Sequence, residues 1–239
     1  MKNLFYSSDI ASGGLCTLDA EESRHAVRVL RQREGDTVYV TDGRGSLFHC
    51  RIVDADDRAC VVDPFATLDV QRTPASLHLA VAPTKNPSRM EWLVEKAVEV
   101  GVGEITLLQC DHSERTFLKT DRLQKLAVSA MKQSLHLTLP AINSAVVLSK
   151  WLNTYSFPCQ KYIAHCEADK PRTPLAEVLC PGNDTAILIG PEGDFSDEEI
   201  ALALEKGFTP VSLGPSRLRT ETAALYATVA FNMINDRAL

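Results

Sequence analysis

Two short apolar runs, each broken by Gly-Pro and followed by a helical pattern, restrict this chain more than any other feature. The first is Ile187-Leu188-Ile189-Gly190-Pro191-Glu192-Gly193. The second is Val211-Ser212-Leu213-Gly214-Pro215, which continues as Ser216-Arg217-Leu218-Arg219-Thr220-Glu221-Thr222-Ala223. A strand that ends in a glycine turn before a helix presents backbone N–H groups to a ligand, so these segments are expected to be neighbouring strand ends facing one ligand. The first lacks G-x-G-x-x-G spacing and neither ends in Gly-Lys-Ser/Thr, which disfavours the common dinucleotide and phosphate-loop cradles. Gly-Pro after a strand is also found as a plain turn.

The chain around them alternates strand and helix, the rhythm of a parallel α/β sheet. A strand is expected at 77–82 and another at 105–108. Between them Met90, Leu93, Val94, Ala97 and Val98 form a helical apolar face that Gly101 terminates. A second helix is expected over 121–135, burying Leu123, Leu126, Ala127, Ala130 and Leu135, before Pro140 stops the pattern. Strands at 162–164, 186–189 and 211–213 complete the sheet. Ser196 with Glu199 reads as a capping box, and Thr220-Glu221-Thr222 opens the last helix.

The first seventy residues are strand-like. Runs at 37–41 and 46–53 flank Asp42-Gly43-Arg44-Gly45, a hairpin signal, and Ala59-Cys60-Val61-Val62 follows a polar break. A small β-barrel over 1–72 and an α/β domain over 73–239 are expected, with the boundary between 69 and 75. Asp19 followed by Glu22 reads as a helix cap with its partner, and the helix should run to about Arg31. On such a helix Arg24, Arg28 and Arg31 share one face, while Ala26, Val29 and Leu30 face the core. His25 falls between the faces, as a packing or hydrogen-bonding residue. The arginine stripe suits phosphate contact or a solvated face equally on pattern alone.

Charge argues against a strong non-specific attraction to nucleic acid. The net charge is −6, and phosphate attraction scales with the cations that meet phosphates. Residues 73–160 carry nine Lys+Arg against seven Asp+Glu, net +2, whereas 161–239 carry seven against twelve, net −5. Seven scattered cysteines without a C-x-x-C pair point to reduced, mostly packed thiols and to no structural metal. No apolar run is long enough to cross a bilayer and no signal-peptide core is present, so a soluble cytoplasmic protein without a membrane partner is expected.

The wording of the glycine segments is more specific than their glycines. Leu188-Ile189-Gly190-Pro191-Glu192-Gly193, then Leu213-Gly214 and Leu218-Arg219-Thr220-Glu221-Thr222-Ala223, resemble the SPOUT class of S-adenosylmethionine-dependent RNA methyltransferases. The similarity is nearest to the RsmE family, which methylates N3 of a uridine in 16S ribosomal RNA of the small subunit. It extends along the whole chain: His25-x-x-x-Val29-Leu30-Arg31, Lys85 before Met90-Glu91, Glu95-Lys96-Ala97, Glu99-x-Gly101-Val102 and Ser113-Glu114-Arg115. Departures lie at Asp194, where the family usually has a second glycine, and at Lys132 and His136, where many relatives have Glu and Arg.

The resemblance implies a PUA-like barrel followed by a parallel sheet with a deep C-terminal trefoil knot that binds S-adenosyl-L-methionine. It implies a homodimer with the pocket at the subunit contact. Carried onto this sequence, it places Ile189, Gly190, Gly193, Leu213, Gly214, Leu218, Arg219 and Thr220 at the cofactor, with Leu213 and Leu218 on adenine. His165 and Cys166 fit a buried loop better than the pocket. Arg24, Arg28, Arg31 and Arg115 become candidate RNA contacts.

Chemistry assigns the catalytic roles to Arg219 and Glu221. Uridine N3 must lose its proton, and a guanidinium stabilises the resulting anion but takes up no proton. Glu221, near a helix N-terminus, is a weak acceptor, with water as the alternative. The two residues pairing to brace the knot is a rival role of nearly equal weight. A non-enzymatic ribosome-assembly factor that binds RNA, or an α/β enzyme using another nucleotide cofactor, are the alternative functions.

Overall fold

The computed structural model describes residues 3–11, 13–68, 75–115, 118–156, 160–167 and 171–236. The expected domain boundary falls largely on 69–74, outside the described residues. Two compact units emerge: residues 1–72 with 128–139, and residues 73–127 with 140–239.

The first unit is a five-stranded sheet in the order β1-β3-β4-β5-β2, comprising β1 (Leu4–Tyr6), β2 (Cys16–Thr17), β3 (Thr37–Thr41), β4 (Leu47–Asp54) and β5 (Val61–Leu68). It curls as a half-barrel, since its edge strands β1 and β2 do not pair with each other among the described residues. The expected hairpin is present, with Thr41 opposite Leu47 across the turn. Alternation sends Phe48, Cys50 and Ile52 of β4 inward to meet Phe5, Leu18, Val38, Val40 and Val62.

The N-terminal helix of this unit differs from expectation after its first turn. Asp19 caps α1 (Ala20–Arg24), accepting from the N–H groups of Glu21 and Glu22. The chain then widens into a π-helical turn over His25–Val29, in which Leu30 N–H bonds to His25 O at 3.0 Å. The wider turn rotates every later side chain. Ala26 is buried as expected, but Val29 is 64% exposed, and Arg31 lies beyond the helix at φ 57°. The three arginines therefore do not form one helical stripe. His25 packs against Phe5, ring centroids 5.8 Å apart.

Glu22 does not return to the cap. It is buried and ion-paired with Lys132, which belongs to residues 128–139 of the same unit. Burial pushes the Glu22 carboxyl above the usual range, and Lys132 pulls it back only in part.

The second unit is a seven-stranded, all-parallel sheet in the order β10-β12-β9-β11-β6-β7-β8. Its strands are β6 (Leu77–Val81), β7 (Glu104–Gln109), β8 (Ala141–Val147), β9 (Gln160–Ala164), β10 (Thr173–Pro174), β11 (Thr185–Ile189) and β12 (Thr209–Ser212). The helices are α2 (Pro87–Val100), α3 (Thr120–Ser134, whose residues from 128 on belong to the first unit), α4 (Leu148–Thr154), α5 (Leu175–Val178), α6 (Asp197–Glu205) and α7 (Thr220–Asp236). Gly101 ends α2 at φ 109°, and Ser196 with Glu199 forms the capping box of α6. Leu135 is 40% exposed rather than buried, because the chain leaves α3 there at φ 60°. The strand β8 and helix α4, which the sequence pattern left unassigned after Pro140, add one edge of the sheet.

A buried polar network ties that edge together. The His78 ring bonds to Tyr155 Oη and Thr106 Oγ1, each at 2.8 Å. Tyr155 donates to Glu104 at 3.0 Å, and Asn143 donates to Glu104 at 2.6 Å. Burial lowers the His78 pKa against the pull of Glu104, and burial with Glu104 holds the Tyr155 hydroxyl up to about 12. Among the described residues no helix is long and apolar enough to cross a membrane.

The Glu22–Lys132 pair yields a prediction with a definite sign. Lys132→Met leaves a buried carboxylate without its cation and should cost about 3 kcal/mol at neutral pH. The pKa of Glu22 then rises further, so folding takes up a proton on acidification and the deficit should shrink as pH falls. Denaturant titrations at pH 7 and pH 5 check this; a deficit that grows at the lower pH contradicts it.

Candidate functional site

The site forms where parallel strands stop. Beyond the C-terminal ends of β9 and β11 lies a cavity of about 250 Å³, bounded by Ala164 and Cys166, by the turn from Ile189 to Asp194, and by residues 217–220 with Ala223. The two glycine segments are not neighbouring strand ends as expected, because β9 lies between β11 and β12. The segment leaving β9 therefore enters the site, and Cys166 lines it, whereas sequence reasoning favoured a buried loop. His165 is buried, and its carbonyl accepts from Arg172 at 2.6 Å.

The turn after β11 is shaped by close approach. A Cβ on Gly190 would sit 3.1 Å from the Phe195 ring, and one on Gly193 would sit 3.0 Å from His112 Cβ. Gly214 has open space around it, and glycine is suited to its φ of 109° instead. Asp194 takes φ 63°. Its carboxylate compensates by accepting from Cys166 N–H at 2.6 Å and Phe195 N–H at 2.9 Å. The departure from glycine thus ties the exit of β9 to that of β11.

Helix α7 closes the cavity. Thr220 Oγ1 donates to Gly190 O at 3.1 Å, fixing the start of the helix over the end of β11. The unpaired N–H groups of its first turn carry partial positive charge, which favours an anionic ligand group there. Ile189, Pro191, Leu218 and Ala223 give the lining an apolar side. Burial, reinforced by Asp194, pushes the Cys166 thiol up against the pull of Arg217 and Arg172.

Of the residues expected at the cofactor, the structure brings Ile189, Gly190, Leu218, Arg219 and Thr220 to the cavity wall. Gly193, Leu213 and Gly214 lie outside that wall. Cys166, Asp194, Arg217 and Ala223 were not assigned to it from sequence; the proximity of Asp194 to Cys166 is a tertiary fact with no local signal.

Arg219 and Glu221, for which the sequence leaves both separate chemical roles and a mutual brace open, do not pair with each other among the described residues. Arg219 is exposed at the cavity and forms no ion pair among the described residues. Glu221 is buried and faces Arg89, with Arg89 Nε 3.5 Å from Glu221 Oε1. Its other oxygen, Oε2, is buried without a hydrogen-bond partner among the described residues. Arg115 donates through Nε and Nη2 to Lys85 O at 3.2 and 3.0 Å. Lys85 N–H in turn donates to Glu192 Oε1 at 3.0 Å, so Arg115 braces the loop that holds one wall of the cavity. Among the described residues, no cluster of three or more His, Cys, Asp or Glu is arranged to hold a metal ion.

The sequence matches the RNA methyltransferase domain family over residues 71–232 and the RNA methyltransferase PUA domain over 18–65. A ribosomal RNA small subunit methyltransferase E of Synechocystis is 31% identical, over 92% of this chain and 72% of its own. A crystal structure of a probable rRNA-methyltransferase from Porphyromonas gingivalis superposes with a TM-score of 0.91 at 40% identity, covering 99% of this chain and all of the other. A ribosomal RNA small subunit methyltransferase E from Neisseria gonorrhoeae, bound to S-adenosyl methionine, superposes with a TM-score of 0.84 at 25% identity, covering 98% of each chain.

The geometry at Asp194 makes a ranked prediction. Asp194→Ala keeps the left-handed strain and loses both hydrogen bonds, and should cost about 2–3 kcal/mol. Asp194→Gly relieves the strain and should cost about 1 kcal/mol less. Thermal denaturation of the three proteins checks the order; an Ala variant as stable as the Gly variant removes the strain-and-tether account.

Proposed function

This chain belongs to the RNA methyltransferase family, and we propose that it transfers the methyl group of S-adenosylmethionine to N3 of one uridine in 16S ribosomal RNA of the small ribosomal subunit. The observation that carries this reading is the cleft at the ends of β9 and β11, closed by the first turn of α7. Its lining fits the cofactor. Apolar Leu218 and Ile189 suit adenine, the first-turn N–H groups of α7 suit a carboxylate, and Gly190 lets the exit turn of β11 pack on Phe195 to form the floor. Leu213, Gly193, Gly214, Arg219 and Thr220 complete the set we assign to holding it. S-adenosylmethionine supplies an electrophilic methyl on a sulfonium.

The uridine N3 that takes the methyl group must first lose its proton. Arg219, exposed at the cavity, stabilises the anion that develops on the uracil ring. Glu221 is the acceptor we assign to the proton, with water as the second exit, and its unpartnered Oε2 supports that role. Arg89 holds the other oxygen of the same carboxylate and leaves Arg219 unclaimed. This favours separate chemical roles over a mutual brace.

We infer a cytoplasmic homodimer. Tyr226 and Met233 are 49% and 53% exposed and stand two turns apart on one side of α7. Trp92 is 42% exposed on α2, which packs against α7. The trefoil threading and the division into an RNA-binding PUA-like domain and a methyltransferase domain belong to the same proposal. Arg24, Arg28, Arg31 and Arg115 are the RNA contacts we assign, Arg28 and Arg115 by exchanging their present partners, Asp57 and Lys85 O, for phosphate.

Single-turnover methyl transfer to small-subunit RNA, followed over pH, tests this reading. Arg219→Lys should slow transfer by about two orders of magnitude with folding nearly intact. Glu221→Gln should slow it and remove the carboxylate limb of the pH profile. Normal rates in both variants would move the chemistry to other residues, and no transfer by the unaltered protein would overturn the activity itself.

A further inference from the structure

The outer face of the first sheet carries a row of rings that the methyl-transfer chemistry does not use. Tyr39 of β3 and His49 of β4 stack with centroids 4.6 Å apart and planes 11° apart. Phe65 of β5 lies 4.5 Å beyond His49, and the Arg51 guanidinium sits 5.9 Å from the Phe65 ring. A β-bulge builds this row. His49 faces Ala66 while Cys50 faces Pro64, so Phe65 is the extra residue, turned to the outer side beside His49. Pro64, which lacks an N–H, suits the interrupted ladder. Phe65 is 52% exposed, with Leu68 at 41% and Val53 at 40% on the neighbouring outer surface.

We propose that this row is a stacking platform for the bases of single-stranded RNA. The proposal rests on the reading that RNA is the substrate, and it names the surface and the mode of contact. Tyr39 and His49 cover each other's faces and back the exposed Phe65 ring, which is the one open to stack on a base of any sequence, and the Arg51 guanidinium beside it adds a cation for base or phosphate. Elsewhere on the first unit Arg31 and Arg33 line an open groove together with Glu34 and Ala55.

Charge favours this occupant and this mode. With a net charge of −6, ionic attraction alone holds RNA weakly, and Arg28 of the first unit is already engaged with Asp57. Base stacking depends little on salt, so it supplies affinity that the charge balance withholds. A protein partner would call for a broader apolar patch than one row of rings bordered by Thr37, Asp63 and Thr67.

The test uses the intact chain and a labelled single-stranded oligouridylate, with anisotropy measured over a range of salt. Phe65→Ala should weaken binding about tenfold with the salt slope unchanged, while Phe65→Trp should preserve it. Arg51→Ala should weaken binding and lower the slope by about one unit. Unchanged affinity in Phe65→Ala, when the unaltered protein binds, overturns the platform and leaves the methyltransferase reading standing. A fall in sedimentation mass in Phe65→Ala would show a subunit contact and overturn it equally. An unaltered protein that neither binds the oligonucleotide nor methylates small-subunit RNA removes both proposals.

Discussion

The five residues of β11 are all buried, and they pair in parallel with β6 on one side and β9 on the other. Everything at the site hangs from that strand. Its last carbonyl neighbour, Gly190 O, receives Thr220, and its exit turn packs on Phe195 so closely that a methyl group would collide. A parallel strand buried on both faces is held by backbone bonds in its own plane and apolar packing above and below. That combination fixes where the exit turn stands, and hence where a ligand meets α7.

One loop organises the charges around this centre. Between β6 and α2, Lys85 reaches Glu192 through its backbone and Glu114 through its side chain, at 3.0 and 2.7 Å. Arg115 holds the carbonyl of the same residue. One turn into α2, Arg89 reaches Glu221. Glu192 in the cavity wall and one oxygen of Glu221 are thereby engaged from one side, and Arg219 keeps its guanidinium for a ligand. A guanidinium that is not spent internally is the one able to respond to charge developing elsewhere.

What could be read from the sequence was what is local. The capping box at Ser196 and Glu199, the stop at Gly101 and the hairpin at residues 42–45 are each specified within a few residues, and each forms as written. The glycine segments announced a ligand-facing edge, and the cavity lies there. The insertion of β9 between β11 and β12 depends on pairings distant in sequence, and no periodicity carries it. The same holds for Glu22, whose helix-cap spacing is ordinary but whose partner Lys132 lies 110 residues away. The π-helical turn at His25–Val29 is invisible for another reason: the same residues suit an α-helix, and only packing selects the extra residue. Strand β8, with Asn143 and Ser144 inside it and a mixed burial pattern at the sheet edge, lacks the continuous apolar run that marks its neighbours.

The sheet order also sets a schedule for the growing polypeptide. Leu77 at the start of β6 must wait for Thr185 before that side of the strand is covered, a delay of roughly 5–20 s at ordinary rates of synthesis. Until then β6 and β7 present an open edge able to pair with foreign strands. The cleft needs β9, β11 and the first turn of α7 together, so it comes into being only after residue 223 has been released from the exit tunnel. A product truncated just before α7 retains most of the fold's apolar residues but lacks the wall that closes the cleft, which makes the last helix the element that converts a sticky intermediate into a finished protein.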